Sequence, residues 1–422
     1  MYSAFTAPLL DGESYIAYNN SNLAIVVGNV KWETNDSPIA NKPTLDMRNA
    51  LIEIGIKEWN GFNAIASDYT DESGHYEIII NPEDIPTNKD LYLRIALKGK
   101  TFEVSTFWNF PHYYYEYNLS QMVSSGKTVT YNALIKCDKS EDVYKATYVH
   151  QGMVIAERFA EEMGFESDKY IWVAYPAESV SIEIDGVEYS LSNMAFCYGY
   201  LGYDSIAAIG INSYDKPKII VHEYSHYIQC SMGNFGEDMP EILFLSTHDG
   251  TSDYYEQKGD KSFAMHLSWT EGWGYAFSVM AQRYYVNEYM PLWKSNTYET
   301  TISTTNDDSY LGEFQEKSTK AFLWSLIDTN MINCDINTNG AVLDYQLPWT
   351  PQEWWNMTTV TGTCRLPDFI KLIENESYNL GTVIDYKHIK GYIADKLTIF
   401  NIAPEITSTS ARHATAVTSA WH

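Results

Sequence analysis

One stretch limits this chain more than any other: Lys218-Ile219-Ile220-Val221-His222-Glu223-Tyr224-Ser225-His226-Tyr227-Ile228-Gln229. It carries the pattern His-Glu-x-x-His at 222–226. Residues four apart on an α-helix lie one above the other, so His222 and His226 project from one face. Two imidazoles so placed share one metal ion, and Glu223 beside them reaches water bound to that ion. Ile219, Ile220 and Val221 before the pattern and Ile228 after it describe a helix buried among other elements, as the floor of a cleft requires. Histidines at this spacing also occur as ordinary core residues, so a third ligand decides the matter.

The extended form of the pattern, with a glycine and a third histidine further along the same helix, is excluded. Gln229 holds the glycine position and Met232 the histidine position. The third ligand must come from another element, and Ser268-Trp269-Thr270-Glu271-Gly272-Trp273-Gly274-Tyr275-Ala276-Phe277 offers Glu271. It lies far enough beyond His226 for a loop and a return helix. From His266 to about Val286 the sequence is apolar and aromatic with few charges, as in a buried helix. A carboxylate there has a high desolvation cost unless something pairs with it. A metal ion is the expected partner; an arginine or a helix cap is the blander alternative. His248, in the Gly-, Asp- and Ser-rich stretch 233–264, and His266 are rival third ligands, and Glu271 ranks above both.

His-Glu-Tyr-Ser-His followed by Glu-Gly-Trp resembles the gluzincin metallopeptidases, the thermolysin-like group, and is most similar to the fungalysin type. The resemblance covers roughly residues 200–330, and the apolar segment Ala321-Phe322-Leu323-Trp324-Ser325-Leu326-Ile327-Asp328 extends it. It implies zinc held by His222, His226 and Glu271, with Glu223 as general base. It also implies an edge strand just before the zinc helix that binds extended peptide, a part for which Ser205 to Asn212 is suited. Relatives stabilise the oxyanion with a His or Tyr after the third ligand, and Tyr310 stands about there. At one place the chain departs from the group. Where many relatives carry an Asp that orients a zinc-bound imidazole, Gly274 and Tyr275 stand instead.

Composition bounds the partners. Lys and Arg number 28 against 55 Asp and Glu, a formal net charge of −27, which repels nucleic-acid phosphates and anionic membrane surfaces. The acidic residues are spread along the chain, as solubility alone would require. No run is long and apolar enough for a transmembrane helix, and the first residues lack the basic start and apolar core of a signal peptide. The cysteines (Cys137, Cys197, Cys230, Cys334, Cys364) form no CxxC pair; a Cys334–Cys364 disulfide is the pairing considered.

The expected fold class is α+β: an N-terminal β-sandwich followed by a gluzincin-type catalytic domain with a mixed sheet, the His-Glu-x-x-His helix and a mainly helical C-terminal half. Residues 1–20 read as a lead-in and 21–110 as a run of short strands bounded by turns. That run resembles transthyretin-like, carboxypeptidase-regulatory modules, chiefly through Thr70-Asp71-Glu72-Ser73-Gly74-His75-Tyr76. It is expected to be separable from the remainder. Residues 111–140 read as a connection, and 141–422 as the catalytic domain. Within it, Asp142 to Met163 has helical periodicity ending at Gly164, and 179–189 reads as a hairpin. A polar loop is expected at 295–317. Thr350-Pro351-Gln352-Glu353 starts a capped helix, and further helices are expected at 320–329, 366–374 and 386–397.

The function these readings imply is that of a secreted or cell-surface zinc endopeptidase acting on protein or peptide. An aminopeptidase of the same clan and a catalytically inactive surface-binding protein are the alternatives.

Overall fold

The computed structural model describes residues 11–18, 22–34, 44–59, 61–106, 113–120, 122–138, 141–177, 181–184, 187–190, 194–196, 205–232, 261–285 and 350–359, with isolated positions at 319, 320, 323, 365, 366 and 369. Helices and sheets are both well represented, so the fold is mixed α and β.

Two sheets occupy the N-terminal part. The first joins β1 (Asp11–Tyr18), β10 (Lys127–Ile135), β2 (Ala24–Glu33) and β3 (Thr44–Asp46), with β6 (His75–Ile80) also on β2. The second has the order β5 (Gly61–Tyr69), β4 (Leu51–Glu58), β7 (Leu91–Ala96), β9 (Tyr114–Asn118). Period-two sequences produce period-two burial. Ala24, Val26, Val30 and Trp32 of β2 are buried while their neighbours along the strand alternate outward, and on β4 Ile52 and Ile54 are buried on either side of half-buried Glu53. These side chains belong to one continuous apolar cluster that also takes in the helices below.

The remainder is built on a four-stranded sheet of order β14 (Met194–Phe196), β15 (Ser205–Ala208), β11 (Ile171–Ala174), β8 (Phe102–Ser105). β8, β11 and β15 run parallel and β14 antiparallel. β8, β11 and β15 are buried along their whole length, as strands covered on both faces must be. A separate hairpin pairs β12 (Ser181–Ile184) with β13 (Val187–Ser190). α1 (Asp142–Glu162), α2 (Pro217–Ser231) and α3 (Lys261–Tyr284) pack together beside the sheet, and α4 (Pro351–Thr358) lies against α3. α1 ends in a Schellman motif: Gly164 adopts φ 85°, its N–H donates to Glu161 O, and Phe165 N–H donates to Ala160 O. α4 opens with the expected box, Glu353 N–H donating to Thr350 Oγ1 and the Glu353 carboxylate accepting from Thr350 N–H.

Four expectations need correcting. β1 lies inside the stretch read as a lead-in, yet all eight of its residues pair with β10. The stretch 111–140, read as a connection, supplies β9 and β10 to the two N-terminal sheets. β8, grouped by its sequence with the sandwich, pairs instead with β11, so the chain crosses between the two parts before the N-terminal sheets are complete. The N-terminal stretch is therefore not separable as cut: removing 21–110 would take β8 out of the other sheet. Finally, β15 lies between β14 and β11, and among the described residues the outer strand on that side of the sheet is β14. The expected helix at 386–397, the loop 295–317 and most of 233–264 lie outside the described residues, as do most of 320–329 and 366–374. Among the described residues no helix is long and apolar enough to cross a membrane.

Polar bonds stitch the N-terminal sheets to α1. Gln151 Nε2–H donates to Arg48 O, 3.1 Å. The buried Glu157 carboxylate accepts from Asn49 Nδ2–H, from Thr101 N–H (2.9 Å) and from Thr101 Oγ1 (2.5 Å), and that hydroxyl lies 3.3 Å from the Tyr224 hydroxyl on α2. Burial pushes the Glu157 carboxyl up from its ordinary 4.5 to about 7, and the Thr101 bonds oppose the rise only in part. Burial also pushes His150, two turns earlier on α1, down from 6.5 to about 3. The two groups act in opposite directions. Protonated Glu157 contributes stability that is whole below pH 4.5 and lost as pH rises through about 7. Neutral His150 contributes stability that is whole above pH 6.5 and lost as pH falls toward 3. Glu157→Gln should therefore remove a loss on the order of 3 kcal/mol between pH 4.5 and 7. Thermal unfolding from pH 4 to 8 should show the variant gaining on wild type toward pH 8, and a parallel profile would contradict the assignment.

Candidate metal centre

α2 begins at Pro217, whose fixed φ and missing N–H suit the first helical position. From Ile220 to Gln229 every residue is buried, His222, Glu223 and His226 included. α2 meets α1 at Gly152, where a Cβ would lie 2.7 Å from Ile220 Cγ2, so only a glycine allows this approach.

α3 crosses α2 in the antiparallel sense, as three contacts in order show. Gln229 reaches Thr270 O at 3.2 Å, Ser225 and His222 face Gly274, and Ser278 Oγ donates to Lys218 O at 2.7 Å. Descending one helix ascends the other. Glu271 consequently arrives beside both histidines. Its Oε2 is 3.0 Å from His222 Nε2 and 3.6 Å from His226 Nε2, and the two imidazole nitrogens are 3.1 Å apart. All three side chains are buried.

Three such atoms converging away from water repel one another unless a cation stands between them, because neutral imidazole nitrogens offer lone pairs and a carboxylate is acceptor-only. One proton cannot serve all three. Donors at about 2.0–2.1 Å from a tetrahedral ion stand about 3.3 Å apart, and the three separations here bracket that value. The group of His222, His226 and Glu271 can hold a metal ion. His266 also lies on α3 and is buried, but it is not part of this group. Glu223, buried on the same turn as His222, is likewise outside the trio. Tyr310 and the rival His248 lie outside the described residues.

The surroundings include residues that the sequence reading did not assign. The packing leaves no room for a side chain at Gly274: a Cβ there would be 2.6 Å from Ser225 Oγ and 3.0 Å from His222 Nδ1. The Tyr275 ring lies against the His222 imidazole, centroids 4.3 Å apart, with the Lys320 and Lys218 ammonium groups 4.4 and 4.8 Å from the centre of that ring. Gln229 links His226 to Thr270. The signal for these residues was helical spacing. Gly274 and Tyr275 stand three and four beyond Glu271, and Gln229 three beyond His226, so each shares a face with a ligand. On the opposite side of α3, Trp273 stacks on Trp354 and Phe277 and donates to Thr358 Oγ1 at 2.9 Å, which seats α3 on α4. Cys230 is disulfide-bonded and Cys137 free, whereas Cys334 and Cys364 lie outside the described residues.

No protein-family model and no curated protein matches the chain. Among solved structures, a 9R-lipoxygenase from Cyanothece PCC8801 aligns over 34% of this chain and 24% of that one, at 12% identity and a TM-score of 0.18. A likeness so slight carries no argument.

Gly274→Ala should displace Ser225 or force α2 and α3 apart, and lower affinity for a divalent metal by about ten-fold or more, the usual scale for disturbing a ligand's support. Gly274→Asp, although it adds a carboxylate, should bind metal no better than Gly274→Ala. Chelator competition on both variants checks this; tighter binding by Gly274→Asp would refute the packing argument.

Proposed function

We propose that the chain is a zinc-dependent peptidase of gluzincin type, cleaving protein or peptide internally, secreted or displayed at the cell surface. The observation that carries the reading is the convergence of His222 Nε2, His226 Nε2 and Glu271 Oε2 within 3.0–3.6 Å of one another in a buried setting. Two nitrogens and one carboxylate oxygen form a donor set suited to zinc, with a fourth position left for water. Zinc held there would supply a Lewis acid and lower the pKa of a bound water toward 7.

The chain's own residues supply the rest. Glu223 follows His222 directly and so points about 100° around the helix from it, toward the water rather than into the trio. Its carboxylate takes a proton from the attacking water as the new C–O bond forms, then delivers that proton to the departing amine as the C–N bond breaks. Tyr310 is the proposed donor to the developing oxyanion. Among the described residues β14 is the outermost strand of its sheet on that side, and an extended substrate paired along it would be held by backbone hydrogen bonds. The N-terminal pair of sheets is read as a transthyretin-like sandwich. The disulfide at Cys230 agrees with an oxidising compartment.

Purified protein should hold about one zinc per chain. Glu223→Gln should keep that zinc and the fold yet lose about two to four powers of ten in hydrolysis of a casein-type substrate. Glu271→Ala should lose both metal and activity. Metal analysis beside the assay separates the cases. Wild-type affinity in Glu271→Ala would transfer the third-ligand role to His248 or His266, and full activity in Glu223→Gln would remove the general base from the scheme.

A further inference from the structure

We infer that Gln229 is a positioning residue that fixes the tautomer of His226 and couples it to the helix bearing Glu271. The inference rests on the reading of His222, His226 and Glu271 as metal ligands. Gln229 is buried and lies one turn beyond His226 on α2. Its side-chain nitrogen is 3.2 Å from Thr270 O and its oxygen 3.4 Å from His226 Nδ1.

The chemistry of the two contacts settles which way the amide points. Thr270 O is a carbonyl and only accepts, so the Gln229 amide nitrogen must face it as donor. The amide oxygen is thereby turned to His226 Nδ1, and because that oxygen only accepts, Nδ1 must carry the ring proton. A neutral imidazole has one N–H, so His226 Nε2 is left as a bare lone pair. That lone pair faces His222 Nε2 at 3.1 Å and Glu271 Oε2 at 3.6 Å. Gln229 therefore presents the metal-facing nitrogen in its ligating form before any ion arrives. The same amide grips the backbone one residue ahead of Glu271, so the second and third ligands are held in register through one side chain. The group is neutral, so it orients the imidazole without adding charge to the centre.

Two readouts on the full-length protein test this. In metal-free wild type, the ¹⁵N chemical shifts of the His226 ring should report an Nδ1–H tautomer; an Nε2–H tautomer would overturn the inference, and this measurement needs no variant to fold. Chelator competition for zinc should then show a 10–100-fold weakening in Gln229→Leu, which has no polar atom to offer. Gln229→Glu should retain most of the affinity, since a carboxylate still accepts from Nδ1–H, although it loses the donation to Thr270. If Gln229 served only as a tie between helices, the Glu variant would be as weak as the Leu variant, and that result overturns the proposal. Undiminished binding by Gln229→Leu overturns it as well while leaving the three-ligand reading intact. A wild type that binds no zinc removes both.

Discussion

The close crossing of α2 and α3 is the contact on which the rest of this molecule depends. Two histidines on one helix offer at most half a metal site, and a carboxylate on another helix completes it only if the axes approach within the reach of one Glu side chain. Gly274 permits that approach, its missing Cβ leaving room for Ser225 Oγ and the His222 ring. The remaining packing holds the crossing in place. Trp273, Phe277 and Trp354 stack behind α3, and α1 presses Gly152 against Ile220 behind α2. Four helices thus support the three donor atoms, as the preorganisation of a functional site requires.

Local features of the fold were legible in the sequence. Alternation located β2, β4 and β7, Gly164 marked the end of α1, and Thr350 to Glu353 marked the start of α4, because turns, caps and period-two patterns are decided by neighbours along the chain. Strand partnership is not decided that way. Phe102-Glu103-Val104-Ser105 reads like any short strand following Leu91–Ala96, and only its pairing with β11 shows which sheet it belongs to. β1 opens on the polar run Asp11-Gly12-Glu13-Ser14 and shows no period-two alternation, and its place comes from β10, far along the chain. Ser205 to Asn212 was read as an edge strand, but β14, a strand of three residues, pairs on its other side, and which side of a strand is left unpaired is a property of the whole sheet.

At the candidate site the division follows the same line. The three converging donors were readable because metal chemistry demands particular residue types at helical spacing. Their supports were not, because a glutamine, a glycine and a tyrosine have many ordinary uses and acquire a role only from what the second helix brings against them. Gln229 entered the sequence argument merely as the residue that ruled out a longer motif, yet its side chain bridges the two helices.

The position of β8 has a consequence for how the chain can be synthesised and fold. β8 emerges before β9 and β10, but its partner β11 is made only after α1. The first N-terminal sheet in turn waits for β10 to come between β1 and β2, pairing Asp11 with Leu134. Neither part can be finished on a ribosome before the other has begun. Each leaves an open strand waiting on residues still to be translated, and the pairings close loops of high sequence separation. Such long-range pairings raise the contact order, which slows folding. A single cut in the gene after residue 110 would remove, together with most of the N-terminal strands, a strand of the sheet that packs against α2.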